Sequence, residues 1–471
     1  MIMMKEGKSK TDGLRNAGVM LVGLPSRKQV YLETNVRVGA PSYPCLTLAT
    51  LAGHLTKEFR VKIVDLDLVV DAWRELRQQI KLFKPRVVIV SAKTPVYPIA
   101  VELMHKVKKV FPKITTIIGG VHATICSEEV LREGCFDIVV VGEADFALPT
   151  ILAENNLSKL YGKIFRDEKS PVNNLDSLPL PAWELFDLHK YKNSKLSCRK
   201  NPAGMIETSR GCAFRCNFCC KDIFGTHYRM KSPKRVVDEM EYMLKCGFEE
   251  IHIVDDSFSQ DMERAKAVCK EIIRRELKFP WSLINGVRVN LVDREFFYLA
   301  KKAGCWQTGF GIEAGDQTIL DKVGKGTKLA EIRRAVRLAE QAGIETFGFF
   351  ILGLLGETEK TMEKTIRFAK SLPLSTAKFD LCIPYPGTGY YKLLESQGRI
   401  LSRDWSAYRL HQIEKPLFDH ENLDWVTIGK YYGRAFREFY LRPSYFWKRL
   451  KRDLMNGDLF DDIGYLLRSK W

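Results

Sequence analysis

The sequence predicts an α/β protein made of two successive strand–helix series, a doubly wound parallel sheet and then a partial barrel, ending in a helical region. Three observations predict it. Short aliphatic runs alternate with amphipathic segments of helix length, the pattern of parallel β/α units. The alternation is interrupted once, by a proline-bearing stretch between about 151 and 198. A chain of 471 residues is also too long for one ordinary core.

The first series is assigned to residues 14–150. Its aliphatic runs are "VMLVGL" (19–24), "VKIVDL" (61–66), "VVIVSA" (87–92), "TTIIGG" (115–120) and "DIVVVGE" (137–143). Segments such as "DAWRELRQQIKLF" and "PIAVELMHKVKKVF" lie between them, with apolar residues at helical spacing. This is the rhythm of a Rossmann-like fold, in which ligands sit beyond the carboxyl ends of the strands. Those ends read "SAKTPVYP", "GGVHAT" and "GEAD", rich in Gly, Pro and small polar residues as a ligand-facing rim requires.

Residues 151–198, with "SPVNNLDSLPLPAWELFDL", read as a linker whose prolines end any helix. The second series occupies residues 199–400. Its strands are "AGMIETS", "EIHIVDD", "SLINGVRV", "WQTGFGIEA", "TFGFFILG" and "AKFDLCIPYP". Six β/α units fall short of the eight of a closed TIM barrel, so an open (β/α)6 arrangement is expected. Residues 401–471 form the C-terminal region, helical and dense in basic and aromatic groups.

No early stretch has the pattern of a signal peptide. The most apolar run, "FGFFILGLL" (347–355), is about half the roughly 20 residues of a membrane span and reads as a buried strand. A cytoplasmic protein is expected, its twelve cysteines being reduced thiols or metal ligands. The net charge of +17 favours polyanionic partners or a membrane surface.

The densest chemistry lies in "SRGCAFRCNFCC" (209–220). Cys212, Cys216 and Cys219 are spaced CxxxCxxC on a glycine-bearing loop after a strand. Three thiolates in one loop can hold an iron–sulfur cluster that ordinarily takes four, leaving one iron open to a small molecule. The barrel mouth, where β/α barrels carry their chemistry, suits such a site. A structural zinc site, with Cys220 or His227 as fourth ligand, and a chance group of buried thiols are the alternatives. Cys220 reads as a spare thiol.

"TSRGCAFRCNFC" resembles the cluster loop of the radical S-adenosylmethionine (radical SAM) superfamily, with Phe218 as the aromatic before the last cysteine. The resemblance implies a [4Fe–4S] cluster whose open iron binds SAM, and an electron from a reduced flavodoxin or ferredoxin that releases a 5′-deoxyadenosyl radical. "FGIEAGDQTILDKVGKGT" is similar to the family's "GIESG" strand and sets Glu313 near SAM. "FILGLLGET" is similar to "GLPGET", with Gly353 and Gly356 giving backbone room and Ile351 an apolar wall for adenine. "PYPGTGYY" is similar to "PYPGTPLY". Arg288 in "NGVRV" matches a barrel arginine that reaches SAM, and Asp255, beside Asp256 in "HIVDDSFS", ends a strand at the mouth. For each of these residues barrel packing or a surface ion pair is the alternative role. Ala213, Leu355 and Gly389 stand where relatives have proline. The resemblance covers about residues 202–390.

The first domain resembles the cobalamin-binding branch of that superfamily. The resemblance implies that Thr94, Pro95, Val96, Tyr97, Gly119, Gly120 and Gly142 line a cobalamin pocket, with His122 either touching the cofactor or capping a strand end. The Asp-x-His-x-x-Gly motif that supplies a histidine to cobalt is absent. "FDLHKYK", around His189, lacks the glycine and sits in the linker. A cobalamin-dependent C-methyltransferase is therefore expected, methylating an unactivated carbon of a small-molecule or lipid-like substrate. Ring-forming or carbon–carbon bond-forming enzymes of lipid or tetrapyrrole type share this layout.

The segment Tyr431 to Asp453 is either a cap packed on the barrel or an interfacial helix. The second reading gives peripheral contact with the inner face of the membrane through 429–471. It resembles endings in enzymes of hopanoid and other lipid pathways. An RNA-modifying enzyme of the methylthiotransferase kind would carry three N-terminal cysteines for a second cluster; Cys45, Cys126 and Cys135 do not make that pattern, and nucleic acid is not expected as a partner. A non-enzymatic iron–sulfur sensor would need none of the SAM-site residues.

Overall fold

The computed structural model describes residues 18–30, 41–154, 156–167, 170–195, 197–443, 445–447 and 449. Two compact units emerge, each built on a six-stranded sheet.

The first sheet contains β1 (Gly18–Gly23), β2 (Arg60–Asp65), β3 (Pro85–Ser91), β4 (Thr115–Gly119), β5 (Ile138–Val140) and β6 (Lys163–Phe165). All pairs are parallel, in the order β2-β1-β3-β4-β5-β6. Every residue of β1 is buried, as expected for a central strand covered on both faces. Helix Ala72–Phe83 starts where the Asp71 carboxylate accepts from the Arg74 N–H and ends at Lys84, in the left-handed region at φ 51°. The first five strands fall on the five aliphatic runs of the sequence. β6 falls within 151–198, so the stretch expected to be a linker adds an edge strand. Its three residues are too short to show a periodic pattern.

The second unit takes in the chain from Asp187 onward. Its strands are β7 (Ala203–Ile206), the short pair β8 (Ser209–Arg210) and β9 (Arg229–Met230), then β10 (Glu250–Ile253), β11 (Trp281–Val287), β12 (Cys305–Glu313), β13 (Glu345–Leu352) and β14 (Thr376–Leu381). The main sheet runs β14-β13-β12-β11-β10-β7, all parallel, with β7 and β14 at its two ends. It is the expected partial barrel, and its six strands are the six that the sequence marks.

Helices Pro233–Lys245, Met262–Arg274, Arg294–Lys302, Leu329–Gln341 and Glu359–Ser371 follow successive strands. Ser232, Asp261, Asp293 and Thr358 cap four of them through side-chain oxygens, each cap contributing about 1 kcal/mol. On β13 burial alternates with period two. Thr346, Gly348, Phe350 and Leu352 are buried, while Phe347, Phe349 and Ile351 are half-buried. Phe350 stacks on Phe379 of β14, which meets Phe436 of helix Trp425–Tyr440 at 5.3 Å. The fully buried set thus lies under helix, and the half-buried set faces the barrel interior.

That packing decides part of the tail. Tyr431, Tyr432, Phe436 and Phe439 are buried, and the Tyr440 hydroxyl donates to the Ala377 carbonyl at 2.7 Å. These aromatics form a cap on the barrel and are not available to lipid. Of the remaining residues to 471, most lie outside the described ones. Among the described residues no helix is long and apolar enough to cross a membrane.

Candidate active site at the barrel mouth

β8 and β9 pair antiparallel, Arg210 opposite Arg229, and close the loop that carries the cysteines. Gly211 opens it at φ 82°; a Cβ there would lie 2.3 Å from the His227 carbonyl oxygen, so only glycine fits. The Lys221 ammonium donates to the carbonyls of Cys212, at 2.6 Å, and Phe214, drawing the turn together. Asn217 ties the loop to the barrel, donating its N–H to the Val323 carbonyl at 3.0 Å and accepting from the Tyr390 N–H at 2.9 Å. The Arg288 guanidinium lies 3.3 Å above the Phe214 ring, a cation–π contact between β11's end and the loop.

Loop and strand ends enclose a cavity of about 330 Å³. Cys212, Cys216, Phe218 and Cys219 line it, with Arg288, Glu313 and Ile351 from the strand ends. Cys220 is not among its lining residues. Among the described residues no three His, Cys, Asp or Glu side chains converge tightly enough to hold a single metal ion. A single zinc would draw sulfurs to about 2.3 Å from one point, whereas an iron–sulfur cube takes each on a separate iron.

Two charged groups of the lining are paired with each other. Lys325 Nζ lies 2.6 Å from Glu313 Oε1, with both side chains nearly buried. Burial works against the Lys325 charge, but Glu313 and Cys216 outweigh it and raise the amine. Glu313 holds φ 65°, an uncommon conformation for a non-glycine residue. Cys216 and Cys219 share a hydrogen bond that, against burial and with help from Lys325 and Arg288, lowers Cys216, while the same bond and burial raise Cys219, so one thiolate is held between the two sulfurs. A thiolate is the form that binds iron. Three cysteines lining one cavity beside Lys325 and Arg288 are a donor set that fits a cluster held at three corners.

Other expected residues are placed differently. Asp255 is buried away from the cavity: its Oδ1 accepts from the Thr208 N–H at 2.6 Å, and its Oδ2 from the Thr208 and Ser209 hydroxyls at 2.5 and 2.6 Å. It fixes the strand end before the cysteine loop, and Asp256 lines the cavity in its stead. Burial and then the Asp255 charge raise Asp256. Gly353 and Gly356, at φ 80° and 83°, shape the turn after β13 without lining the cavity. Phe214, Lys221, Lys325, Asp380 and Tyr385 also line it, and no motif in the sequence marks them as a group. Lys325 alone had a local signal, a lysine between two glycines in "GKGT" after the strand of Glu313.

In the first unit the strand order reverses between β1 and β3, where an open α/β sheet binds ligands. Gly119 and Gly120 are half-buried at the end of β4, and a Cβ on Gly120 would meet Ser91 Oγ at 2.7 Å. Thr94, Pro95, Val96, Tyr97 and Gly142 are buried. His122 lies wholly inside, its ring 4.1 Å from that of Tyr97 and its Nδ1 3.3 Å from Thr94 Oγ1. Burial pushes it down to about 4. Gly119 and Gly120 are thus the members of this group that reach the surface at the end of β4, and His122 packs inside against Tyr97 and Thr94.

Residues 206–369 match the Radical SAM superfamily and residues 35–152 the B12 binding domain. A Pyrococcus horikoshii protein described as an uncharacterized methyltransferase is 30% identical over 448 residues, covering 92% of this chain and 93% of its own. The chain belongs to the cobalamin-dependent radical SAM methyltransferase family. The anaerobic magnesium-protoporphyrin IX monomethyl ester cyclase of Rubrivivax gelatinosus is 27% identical, covering 86% of this chain and 75% of its own. The fold is also that of the radical SAM methyltransferase TsrM from Kitasatospora setae, solved with cobalamin and a [4Fe–4S] cluster bound. The match has a TM-score of 0.65 at 20% identity and covers 89% of this chain and 91% of that one. A radical SAM enzyme of this family uses a [4Fe–4S] cluster, SAM and cobalamin, the cofactors the sequence led us to expect.

Proposed function

We propose that the enzyme methylates an unactivated carbon of a small, largely apolar and lipid-like substrate. The observation that carries this is a cavity lined together by three loop thiols, Arg288, Glu313 and Lys325, in a chain that also has a B12 domain. Cys212, Cys216 and Cys219 would hold the cluster. Arg288 and the Glu313–Lys325 pair offer charge of both signs to the amino and carboxylate groups of SAM. Phe218 and Ile351 supply apolar surface for its adenosine. Phe349, Leu381, Ile383 and Leu410 line the same cavity, exclude water and favour an apolar substrate. Thr94 to Tyr97, Gly119, Gly120 and Gly142 would border cobalamin from the first unit. When bound, the cluster and SAM supply a hydrogen-abstracting radical and cobalamin a transferable methyl group, chemistry the side chains cannot provide. An external one-electron donor of the flavodoxin or ferredoxin class is the partner this requires.

Ring closure without net methylation is a second reading, supported by the relation to the cyclase. Full-length protein reconstituted without oxygen with iron, sulfide and cobalamin, then given reductant and methyl-deuterated SAM, separates the two. Transfer of deuterated methyl to product supports methylation, while loss of hydrogens without label supports ring closure. Failure to form 5′-deoxyadenosine removes both. Leu441, Phe446 and Trp447 are exposed beside Arg442 and Arg449, and they are the residues we propose for peripheral membrane contact. Flotation with anionic liposomes, lost on their replacement by serine, is the expected result.

A further inference from the structure

The segment "PYPGTGYY" follows β14, and the cofactor site makes no use of its first tyrosine. Pro384 and Pro386 flank Tyr385 and restrict its backbone. The Tyr385 N–H donates to the Ile383 carbonyl at 2.9 Å. Its own carbonyl accepts from the Thr388 hydroxyl at 2.7 Å and from the Thr388 N–H at 3.2 Å. Thr388 in turn caps helix Gly389–Ser396. The Tyr385 ring lies 6.4 Å from that of Tyr408, which is wholly buried and donates its hydroxyl to the Ser402 carbonyl. The side chain is thus presented from a braced turn.

Tyr385 lines the cavity and is only partly buried. Its hydroxyl meets no hydrogen-bond partner among the described residues. Unlike the Tyr390 hydroxyl, it is not sealed in the interior. Ser257 carries the other hydroxyl of the lining, and that one is fully buried. The wall from β13, β14 and the segment after it is mainly apolar, with Phe349, Ile351, Leu381 and Ile383. Asp380 shares that wall, its Oδ1 fully buried and its Oδ2 3.8 Å from Lys378 Nζ. Burial, and then the Asp380 charge, raises the Tyr385 phenol, so it keeps its proton and remains a donor. A tyrosine hydroxyl in such surroundings ordinarily has a partner, and here the place for one is the cavity.

We propose that Tyr385 is the substrate-recognition residue of this apolar wall, its hydroxyl donating a hydrogen bond to an oxygen acceptor on the substrate. The assignment rests on the cavity being the reaction site, as argued above. It narrows the substrate from lipid-like molecules in general to those with a carbonyl, ether or hydroxyl oxygen in an apolar body. A pure hydrocarbon would leave the donor unsatisfied.

The test uses full-length protein reconstituted with iron, sulfide and cobalamin, a reductant and methyl-deuterated SAM. The probe is a lipid and metabolite extract from source cells lacking the gene. Readouts are Tm, SAM affinity by equilibrium dialysis and retained cobalamin by absorbance. The extract concentration giving half-maximal 5′-deoxyadenosine formation is measured too, with deuterated product by mass spectrometry. Tyr385→Phe keeps the ring and the turn and removes the hydroxyl alone. It is expected to keep Tm, cobalamin and, within about twofold, SAM affinity, while raising the half-maximal extract concentration by about fivefold or more, as for one neutral hydrogen bond. Tyr385→Leu, without ring or hydroxyl, should lose at least as much. The deuterated product is expected to carry an oxygen acceptor. An unchanged half-maximal concentration in Tyr385→Phe, a matching loss of Tm, SAM affinity or cobalamin, or a product without oxygen overturns the assignment. Stimulation of the wild type without deuterated product removes the methyl-transfer reading instead, and Tyr385 is then judged on the half-maximal concentration. A wild type that the extract does not stimulate overturns both.

Discussion

Lys325 Nζ and Glu313 Oε1 lie 2.6 Å apart inside the cavity, and Gly311 leaves the room they occupy: a Cβ there would sit 2.8 and 2.7 Å from the two atoms. Removing one partner leaves the other charge buried and alone, which costs about 3–5 kcal/mol where burial is complete. Lys325→Met is expected to lower Tm and to weaken SAM binding by about tenfold or more. Glu313→Gln combined with Lys325→Met should regain most of the stability but not the SAM affinity. Equilibrium dialysis and thermal melts on all three proteins check this, and a double variant no more stable than Lys325→Met would refute the pairing argument.

The cysteines should divide sharply. Cys212, Cys216 and Cys219 line the cavity and Cys220 does not. Alanine at any of the first three is expected to take reconstituted iron from about four atoms per chain to fewer than about one, while Cys220→Ala keeps it. Iron and sulfide assays with electron paramagnetic resonance read the result. Iron loss in Cys220→Ala would point to a fourth protein ligand and close the open corner.

Gly211 sets the loop before any cluster binds. Alanine would have to relieve a 2.3 Å approach to the His227 carbonyl at φ 82°. The strain is of the order of 1–3 kcal/mol, enough to loosen the β8–β9 closure. Gly211→Ala should therefore fold yet take up much less iron, whereas Gly225→Ala, whose added Cβ meets nothing within 4 Å, should do so less severely.

What could be read from the sequence follows from the range of each interaction. Strands such as β3 and β13 announce themselves because the hydrophobic pattern repeats within the element. Cys212, Cys216 and Cys219 announce themselves because their ligands are near in sequence. β6 does not, being three residues that count as strand only because β5 lies beside them. Asp255 was separable from Asp256 only by three-dimensional partners, since Thr208 and Ser209 are remote in sequence. Asp380 sits in an otherwise ordinary buried strand, and only the register with Ile351 brings it to the cavity wall. The aromatic tail was ambiguous because aromatics spaced for a helix face suit barrel and lipid alike; Phe379 against Phe436 decides it for the barrel as far as Tyr440.

Glu357 offers a test through pH. Its side chain is buried, and Oε2 accepts from the N–H groups of Gly353 at 2.7 Å and Leu354 at 3.1 Å, holding the turn after β13. Burial pushes its carboxyl up to about 8 from 4.5, the two N–H bonds pulling the other way. Between those values the folded chain keeps a proton that the unfolded chain releases. Its contribution to stability is therefore full below about pH 4.5 and is lost as pH rises through about 8. Glu357→Gln keeps an acceptor for both N–H groups and has no charge to bury. Between about pH 6 and pH 9 the variant should gain stability relative to the wild type, by up to a few kcal/mol at the alkaline end. Denaturant unfolding across that range measures it, and parallel curves for the two proteins would mean that Glu357 ionises as an ordinary surface glutamate does.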